Sequence, residues 1–321
     1  MTQLSDADRL PAGSTVATIG MFDGVHLGHA TLIDALNAEA RRRGLQSVVV
    51  TFAQHPQHVL HGGGLKMLQT LDQRLRAIEQ LGPDHLVVLE FTRELAQHDS
   101  AAFMRLLRDR YGIVALIVGY NHRFGHNRHE TFADYVRLGR QLGIDVIKAP
   151  EYLGEYAPVS STIVRGLIAS GKVDDAMRCM NRPYRLEGTV VHGFHNGRGI
   201  GFPTANIGLL DPTVILPHNG AYAVMVHVAG RTLQGMVNVG NRPTLNNGTQ
   251  LSIEVNIFDF DDDIYGQPIA LDFIKFLRLE FKLGSIDELR AQLTADRDKS
   301  RAILSAMLSP VQTEAEQKAK K

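Results

Sequence analysis

The stretch Val16-Ala17-Thr18-Ile19-Gly20-Met21-Phe22-Asp23-Gly24-Val25-His26-Leu27-Gly28-His29 runs from a short apolar, β-branched segment through a glycine-containing turn into a segment of helical period. A strand-turn-helix junction of this kind opens a parallel α/β sheet, and such sheets bind ligands beyond the carboxyl ends of their strands. The helix is expected from near Gly28 to Arg43, with Leu32, Ile33, Leu36 and Ala40 on its buried side and Gly44 as its left-handed stop. His26 and His29 stand on either side of Gly28. There the glycine admits a phosphate close to the backbone, the helix N-terminus offers N–H groups, and two imidazoles can donate hydrogen bonds to a polyphosphate. A glycine-rich turn with two surface histidines is the bland alternative, and the strand-turn-helix context favours function over it.

Working outward, Ser47–Phe52, His85–Phe91, Ala115–Tyr120 and Asp145–Ala149 read as further buried strands, apolar nearly throughout as strands covered on both faces should be. Helices alternate with them. Thr70 and Gln73 form a capping-box pattern, Asp99 or Ser100 can cap a helix ending near Tyr111, and Thr131 can cap another. From about Tyr184 the helical period disappears and glycine and proline become dense. Arg185–His192, Ala221–Val228, Thr232–Val239, Leu251–Phe258 and Ile269–Leu277 are strand candidates at the close spacing of a small barrel or sandwich. A last helix follows Ser285, with Glu288 completing a capping box and Ile286, Leu289, Leu293 and Ile303 turned to a core. The expected division is therefore 1–182, 183–308 and a frayed charged tail over 309–321.

Composition narrows the function. The 321 residues carry 34 Lys+Arg against 34 Asp+Glu, so a polyanion is met locally and not by a basic surface, and no nucleic-acid partner is expected. The single cysteine, Cys179, excludes an internal disulfide and reads as a buried, inert thiol. With a polar N-terminus and no apolar run near the roughly 20 residues a bilayer demands, a cytoplasmic protein without a membrane partner is expected.

A second motif, Gly193-Phe194-His195-Asn196-Gly197-Arg198-Gly199-Ile200-Gly201-Phe202-Pro203-Thr204-Ala205-Asn206, is glycine-rich yet is neither a Walker A loop nor a dinucleotide fingerprint. Thr204 and Asn206 offer hard neutral oxygens suited to magnesium, against the bland reading of a barrel corner. Glu254, in Leu251-Ser252-Ile253-Glu254-Val255-Asn256, points to one strand face by the two-residue period and could take a proton from a hydroxyl; a solvated strand face is the alternative. The histidine sets 55, 58, 61 and 122, 126, 129 lack a carboxylate or cysteine at a recognised metal spacing, and the Asp259 and Asp261–Asp263 turn lacks EF-hand spacing.

The first motif, together with Gly119-Tyr120-Asn121-His122-Arg123-Phe124-Gly125 and Ser160-Ser161-Thr162-Ile163-Val164-Arg165, resembles the FAD synthetase module of bacterial bifunctional riboflavin kinase/FAD synthetases. Gly201-Phe202-Pro203-Thr204-Ala205-Asn206, Asn238-Val239-Gly240-Asn241-Arg242-Pro243-Thr244 and Glu254 resemble the riboflavin kinase module of the same family. The resemblance covers about Val16 to Ile303, with the motifs in family order. It implies an N-terminal Rossmann-like α/β nucleotidyltransferase domain with a parallel sheet and a C-terminal antiparallel β-barrel with a terminal helix. The substrates it implies are riboflavin, FMN and ATP with Mg²⁺, and a transient homo-oligomer is compatible with it.

Residue by residue, the resemblance makes His26 and His29 catalytic and assigns Gly20, Phe22, Asp23, Gly24, Gly28, Asn121, Arg123, Ser160, Ser161, Thr162 and Arg165 to ATP and its phosphates. In the second domain it assigns Gly193, Gly199, Gly201 and Pro203 to ATP, Thr204 and Asn206 to the metal, Arg242 and Thr244 to the flavin, and Glu254 to base catalysis. On physics alone Ser160 and Ser161 would be helix caps and Arg165 a solvated charge. Ala53-Gln54-His55-Pro56 and Asn121-His122 depart from the family pattern, which usually has a proline just before His-Pro and Asp-Phe at the second place. Other readings are a different His-x-Gly-His adenylyltransferase, a class I aminoacyl-tRNA synthetase lacking its Lys-Met-Ser-Lys-Ser segment, or a flavin-binding regulator without catalysis.

Overall fold

The computed structural model describes residues 1–5, 8–119, 123–126, 129–192, 201–243, 249–281 and 284–308. Contacts divide the chain into two compact units, Met1–Val164 and Arg165–Lys321. In the first, strands β1 (Thr2–Leu4), β2 (Thr15–Ile19), β3 (Gln46–Phe52), β4 (His85–Leu89), β5 (Ile113–Val118) and β6 (Asp145–Lys148) form one sheet in the order β1-β4-β3-β2-β5-β6. Every pairing in it is parallel. The chain steps from β2 to β3 in one direction and later adds β5 on the other side of β2, so the switch point lies at the carboxyl ends of β2 and β5.

Alternation explains the apolar strands. Val16, Val49 and Ile117 face one layer with Ile33 and Leu36, while Ala17, Ile19, Val48, Val50 and Leu116 face the other with Met104, Tyr111 and Tyr135. The helices are α1 (Leu27–Arg43), α2 (Pro56–His61), α3 (Leu71–Glu79), α4 (Ser100–Tyr111) and α5 (Phe132–Leu142), and the division falls within α6 (Ser161–Ala169), after Val164. Gly44 ends α1 at φ 66°, Thr70 and Thr131 make reciprocal capping boxes with Gln73 and Asp134, and Asp99 caps α4 through the Ala102 N–H at 2.7 Å. Strand β1 escapes sequence reading because a three-residue edge strand with one buried apolar residue, Leu4, has no period to detect.

The second unit holds α7 (Val173–Met180) and a closed barrel of β7 (Tyr184–Val191), β8 (Ala205–Leu209), β9 (Gly220–Val228), β10 (Arg231–Pro243), β11 (Thr249–Ile257) and β12 (Pro268–Arg278). Its circular order is β10-β11-β8-β7-β12-β9, all antiparallel. The sequence places the domain division at 182, where strand texture begins; α7 precedes that point but groups with the barrel, and its Asp174 forms an ion pair with Lys275 of β12. Closure, which leaves no free edge, decides between barrel and sandwich. Strand β8 lies inside the Pro-Thr-Ala-Asn motif, so Asn206 belongs to a strand and not to the loop its composition suggested.

The last helix, α8 (Ile286–Leu308), buries Asp296, Ser300 and Leu304 at successive four-residue steps. Leu304 packs on the outer barrel face against Ala221, Ala223, Ile274 and Leu277, and Asp296 pairs with Arg278 at 2.8 Å. Leu293 and Ile303 are half-buried, but Ile286 is 63% exposed, against the expectation that it faces a core. The expected capping box is also altered: Ser285 Oγ accepts the Glu288 N–H, while the Glu288 carboxylate takes the N–H of Gly284. Among the described residues no helix is long and apolar enough to cross a membrane. The expected tail, 309–321, lies outside the described residues. Because Leu304 is the one fully buried apolar anchor of α8 among the described residues, Leu304→Ala should lower unfolding free energy by about 2–5 kcal/mol, measured by denaturant titration.

Candidate active sites

The turn between β2 and α1 carries the first site. Gly20 still donates to the Val50 carbonyl at 3.0 Å, after which the chain leaves the sheet through Phe22 and Val25, both at positive φ (52° and 35°). Gly24 adopts φ 83°, and a Cβ there would lie 2.6 Å from Leu68. His26 is the N-cap of α1, in extended conformation, and its side chain makes no capping hydrogen bond. The His26 and His29 rings stack at 3.8 Å and 19°, with the Phe22 ring 5.1 Å from His29. A Cβ at Gly28 would lie 3.2 Å from the His26 ring, so a side chain there would press on the pair.

Two motifs 138 residues apart meet here. Ser161, the first residue of α6, donates its hydroxyl to the Asp23 carbonyl at 2.8 Å. Ser160 accepts the Ile163 N–H at 3.3 Å, the role of a helix cap, and Thr162 is exposed. Arg165 follows Ser161 by one turn on the same helix. Arg123 is exposed, whereas Asn121 lies outside the described residues. The Asp23 carboxylate does not face outward: the residue is 2% exposed and both oxygens accept the Leu68 N–H, at 3.0 and 3.1 Å. Both carboxylate oxygens are thus engaged in holding the turn to Leu68. Among the described residues no group of three or more His, Cys, Asp or Glu could hold a metal. His55 caps α2 by accepting the Gln57 N–H, and His58 Nε2 meets the Leu65 carbonyl at 2.7 Å.

In the barrel, register builds the second site. Glu254 of β11 stands opposite Asn206 of β8 on one side and Asn238 of β10 on the other. Thr204 Oγ donates to one Glu254 oxygen at 3.3 Å and Ser252 Oγ to the other at 3.0 Å. Asn256 Nδ2, on the same strand face, donates to the Pro203 carbonyl at 2.7 Å. Ile253 and Val255, on the opposite face, are buried inside the barrel. Glu254, Thr204 and Asn206 thus gather as the motifs suggested, while Ser252 and Asn238 were not singled out. Their signal lay in the two-residue period for Ser252 and, for Asn238, in its place at the head of the Asn238–Thr244 motif, with the strand register setting it opposite Glu254.

Gly201 and Pro203 are exposed beside this cluster. Gly193, Gly199 and Thr244 lie outside the described residues, and Arg242 is described only in its backbone, opposite Gln250. A cavity of about 490 Å³ opens next to Thr204 and Pro203. Its walls are Val190, Ala205, Val255, Ile257 and Ile264, with Phe260, Tyr265 and the acidic turn Asp261–Asp263 at the rim, so it shares only Thr204 and Pro203 with the Glu254 face. Asp259 and Asp262 of that turn pair with Arg301 and Arg231.

Comparison with known proteins bears on both sites. A family model for FAD synthetase matches residues 10–163, and one for riboflavin kinase matches residues 180–304. The bifunctional riboflavin kinase/FMN adenylyltransferase of Listeria monocytogenes is 33% identical over 296 residues, spanning 91% of this chain and 93% of that one. The protein of the same description from Bacillus subtilis is 34% identical over 298 residues, spanning 90% and 92%. A crystal structure from Streptococcus pneumoniae described as a macrolide-efflux protein superposes with a TM-score of 0.84 at 30% identity, covering 94% of this chain and 99% of that one. With both domains matched in order and a third of its residues identical over nine-tenths of its length, the chain belongs to the family of bifunctional riboflavin kinase/FMN adenylyltransferases, enzymes that convert riboflavin to FMN and FMN to FAD.

Proposed function

We propose that the two residue clusters divide these ATP-dependent steps between them. In the barrel, the 5′-hydroxyl of riboflavin attacks the γ-phosphorus of ATP, forming the new P–O bond as the bond to the β-phosphate oxygen breaks and ADP leaves. An alcohol is a poor nucleophile until its proton is removed, and Glu254 is the group that takes it. The hydrogen bonds from Thr204 and Ser252 hold that carboxylate in one orientation. Thr204, Asn206 and Glu254 place a hydroxyl, an amide and a carboxylate on neighbouring positions, a set of hard oxygens that fits Mg²⁺. Bound with ATP, Mg²⁺ would neutralise charge on the transferring phosphates. The adjacent cavity, apolar in its walls and open at Thr204, suits the adenine end of the nucleotide.

In the N-terminal domain, the phosphate of FMN attacks the α-phosphorus of a second ATP and pyrophosphate leaves. A phosphate monoester is already ionised at neutral pH, so this site needs positioning and charge neutralisation and no base. His26 and His29 supply those donors, and Ser161 and Arg165 on α6 complete them. The observation that carries the assignment is the Ser161–Asp23 hydrogen bond, which brings the third motif onto the first. We further propose a cytoplasmic setting, for which the buried Cys179, its thiol pushed up in pKa by burial, needs no oxidising compartment.

Chromatographic separation of riboflavin, FMN and FAD after incubation with ATP and magnesium tests both halves. Glu254→Gln should slow FMN formation about 10²–10⁴-fold and leave FMN-to-FAD conversion intact. His29→Ala should do the reverse, losing about 10²–10³-fold in FAD formation. Loss of both activities in either variant would refute the two-site assignment. Ala205→Leu, which adds bulk to the cavity wall, should raise the KM for ATP in FMN formation by about fivefold or more, with FAD formation unchanged.

A further inference from the structure

Arg74 is the bulkiest fully enclosed side chain among the described residues. It sits in the first turn of α3, where the Thr70–Gln73 capping box fixes the backbone. One guanidinium nitrogen donates to the carbonyl of Phe52, the last residue of β3. Its Nε lies buried without a hydrogen-bond partner. Burial pulls the Arg74 pKa down to about 10, and the nearby negative charge of Asp23 works in the opposite direction. At neutral pH the group is therefore a buried cation at the start of α3, bonded to the end of β3.

A buried guanidinium is costly unless a negative group compensates it. The negative charge that acts on it is that of Asp23, which is 2% exposed, is bonded to the Leu68 N–H through both oxygens and has its own carbonyl taken by Ser161. On either side of it, Phe22 and Val25 hold positive φ, conformations that side-chain-bearing residues persist in only when their surroundings impose them. We propose that Arg74 is a positioning residue for adenylyl transfer: enclosed and bonded to the Phe52 carbonyl, it ties the start of α3 to the end of β3, and the segment leading into α3, whose Leu68 N–H holds Asp23 and whose Leu68 side chain lies under Gly24, braces the 22–26 turn so that His26 and His29 stay stacked at the head of α1. This rests on the reading that those histidines serve FAD formation. The brace acts on the geometry of the donors and not on substrate contact, so its removal should appear in kcat more than in the KM for ATP.

The test uses the full chain with FMN-to-FAD and riboflavin-to-FMN rates measured in parallel. Arg74→Met should lower kcat for FAD formation about tenfold or more, change the KM for ATP by less than about threefold, and leave FMN formation unaltered. Arg74→Lys, which keeps the charge, should retain more activity than Arg74→Met. The double variant Arg74→Met/Asp23→Asn, which removes both charges, should be faster than Arg74→Met alone. An Arg74→Met enzyme within twofold of the parent, an Arg74→Lys no better than Arg74→Met, or a double variant slower than the single one overturns the brace. A His29→Ala enzyme that still makes FAD at the parent rate instead removes the reading beneath it, so the two failures are told apart.

Discussion

Asp23 is the point on which the N-terminal domain's functional turn hangs. Its carboxylate accepts the Leu68 N–H through both oxygens and its carbonyl receives the Ser161 hydroxyl, while the buried Arg74 anchors the helix that follows Leu68 to the end of β3. None of these partners is near it in sequence, so the turn takes its shape only when β2, the segment before α3 and the start of α6 have all assembled. The sheet makes that assembly possible. Its switch at β2 opens a crevice between neighbouring strand ends, and the turn sits in it. A motif that looks local, ten residues from Gly20 to His29, is in this sense a product of the whole domain.

The barrel reaches its site by a different route. A strand presents alternate residues to one face, so Ser252, Glu254 and Asn256 come together without any special turn. Register then adds Asn206 and Asn238 from the neighbouring strands. The constraint that matters is closure: a slip of one residue in β11 would turn Glu254 inward and Val255 outward, and the packed interior of Tyr222, Val224, Val237 and Phe273 opposes it.

These two routes explain what could be read in the amino acids and what could not. Period and caps are local, so α1 with its Gly44 stop, the Thr70 and Thr131 boxes and most strands were legible to within a few residues. Edge strand β1 and motif strand β8 were not, the first for lack of apolar residues and the second because Pro-Thr-Ala-Asn has the composition of a loop. The histidine pair, Thr204, Asn206 and Glu254 were visible because unusual residue types stand in tight spacing. Asp23 was visible too, but the direction of its carboxylate was not. Arg74 was invisible: in sequence it is one more charge on an amphipathic helix, and only burial distinguishes it.

A chain with as many acidic as basic residues nonetheless handles two ATP-dependent reactions, and the two sites show how that is physically consistent. Transferring a phosphoryl group to an alcohol needs a proton acceptor, which must be an anion or a neutral base; transferring an adenylyl group to a phosphate needs none, but must bring two polyanions together. On the proposed assignment a carboxylate among neutral oxygens suits the barrel, where Mg²⁺ bound with ATP would offset it, and would be harmful in the first domain, where it would repel both substrates. The first domain does contain a carboxylate within its turn, and it is buried and bonded through both oxygens to an amide. Its carboxylate serves the shape of the turn, and in the proposed division of labour the phosphates meet the imidazoles and the N-terminal end of α1 instead.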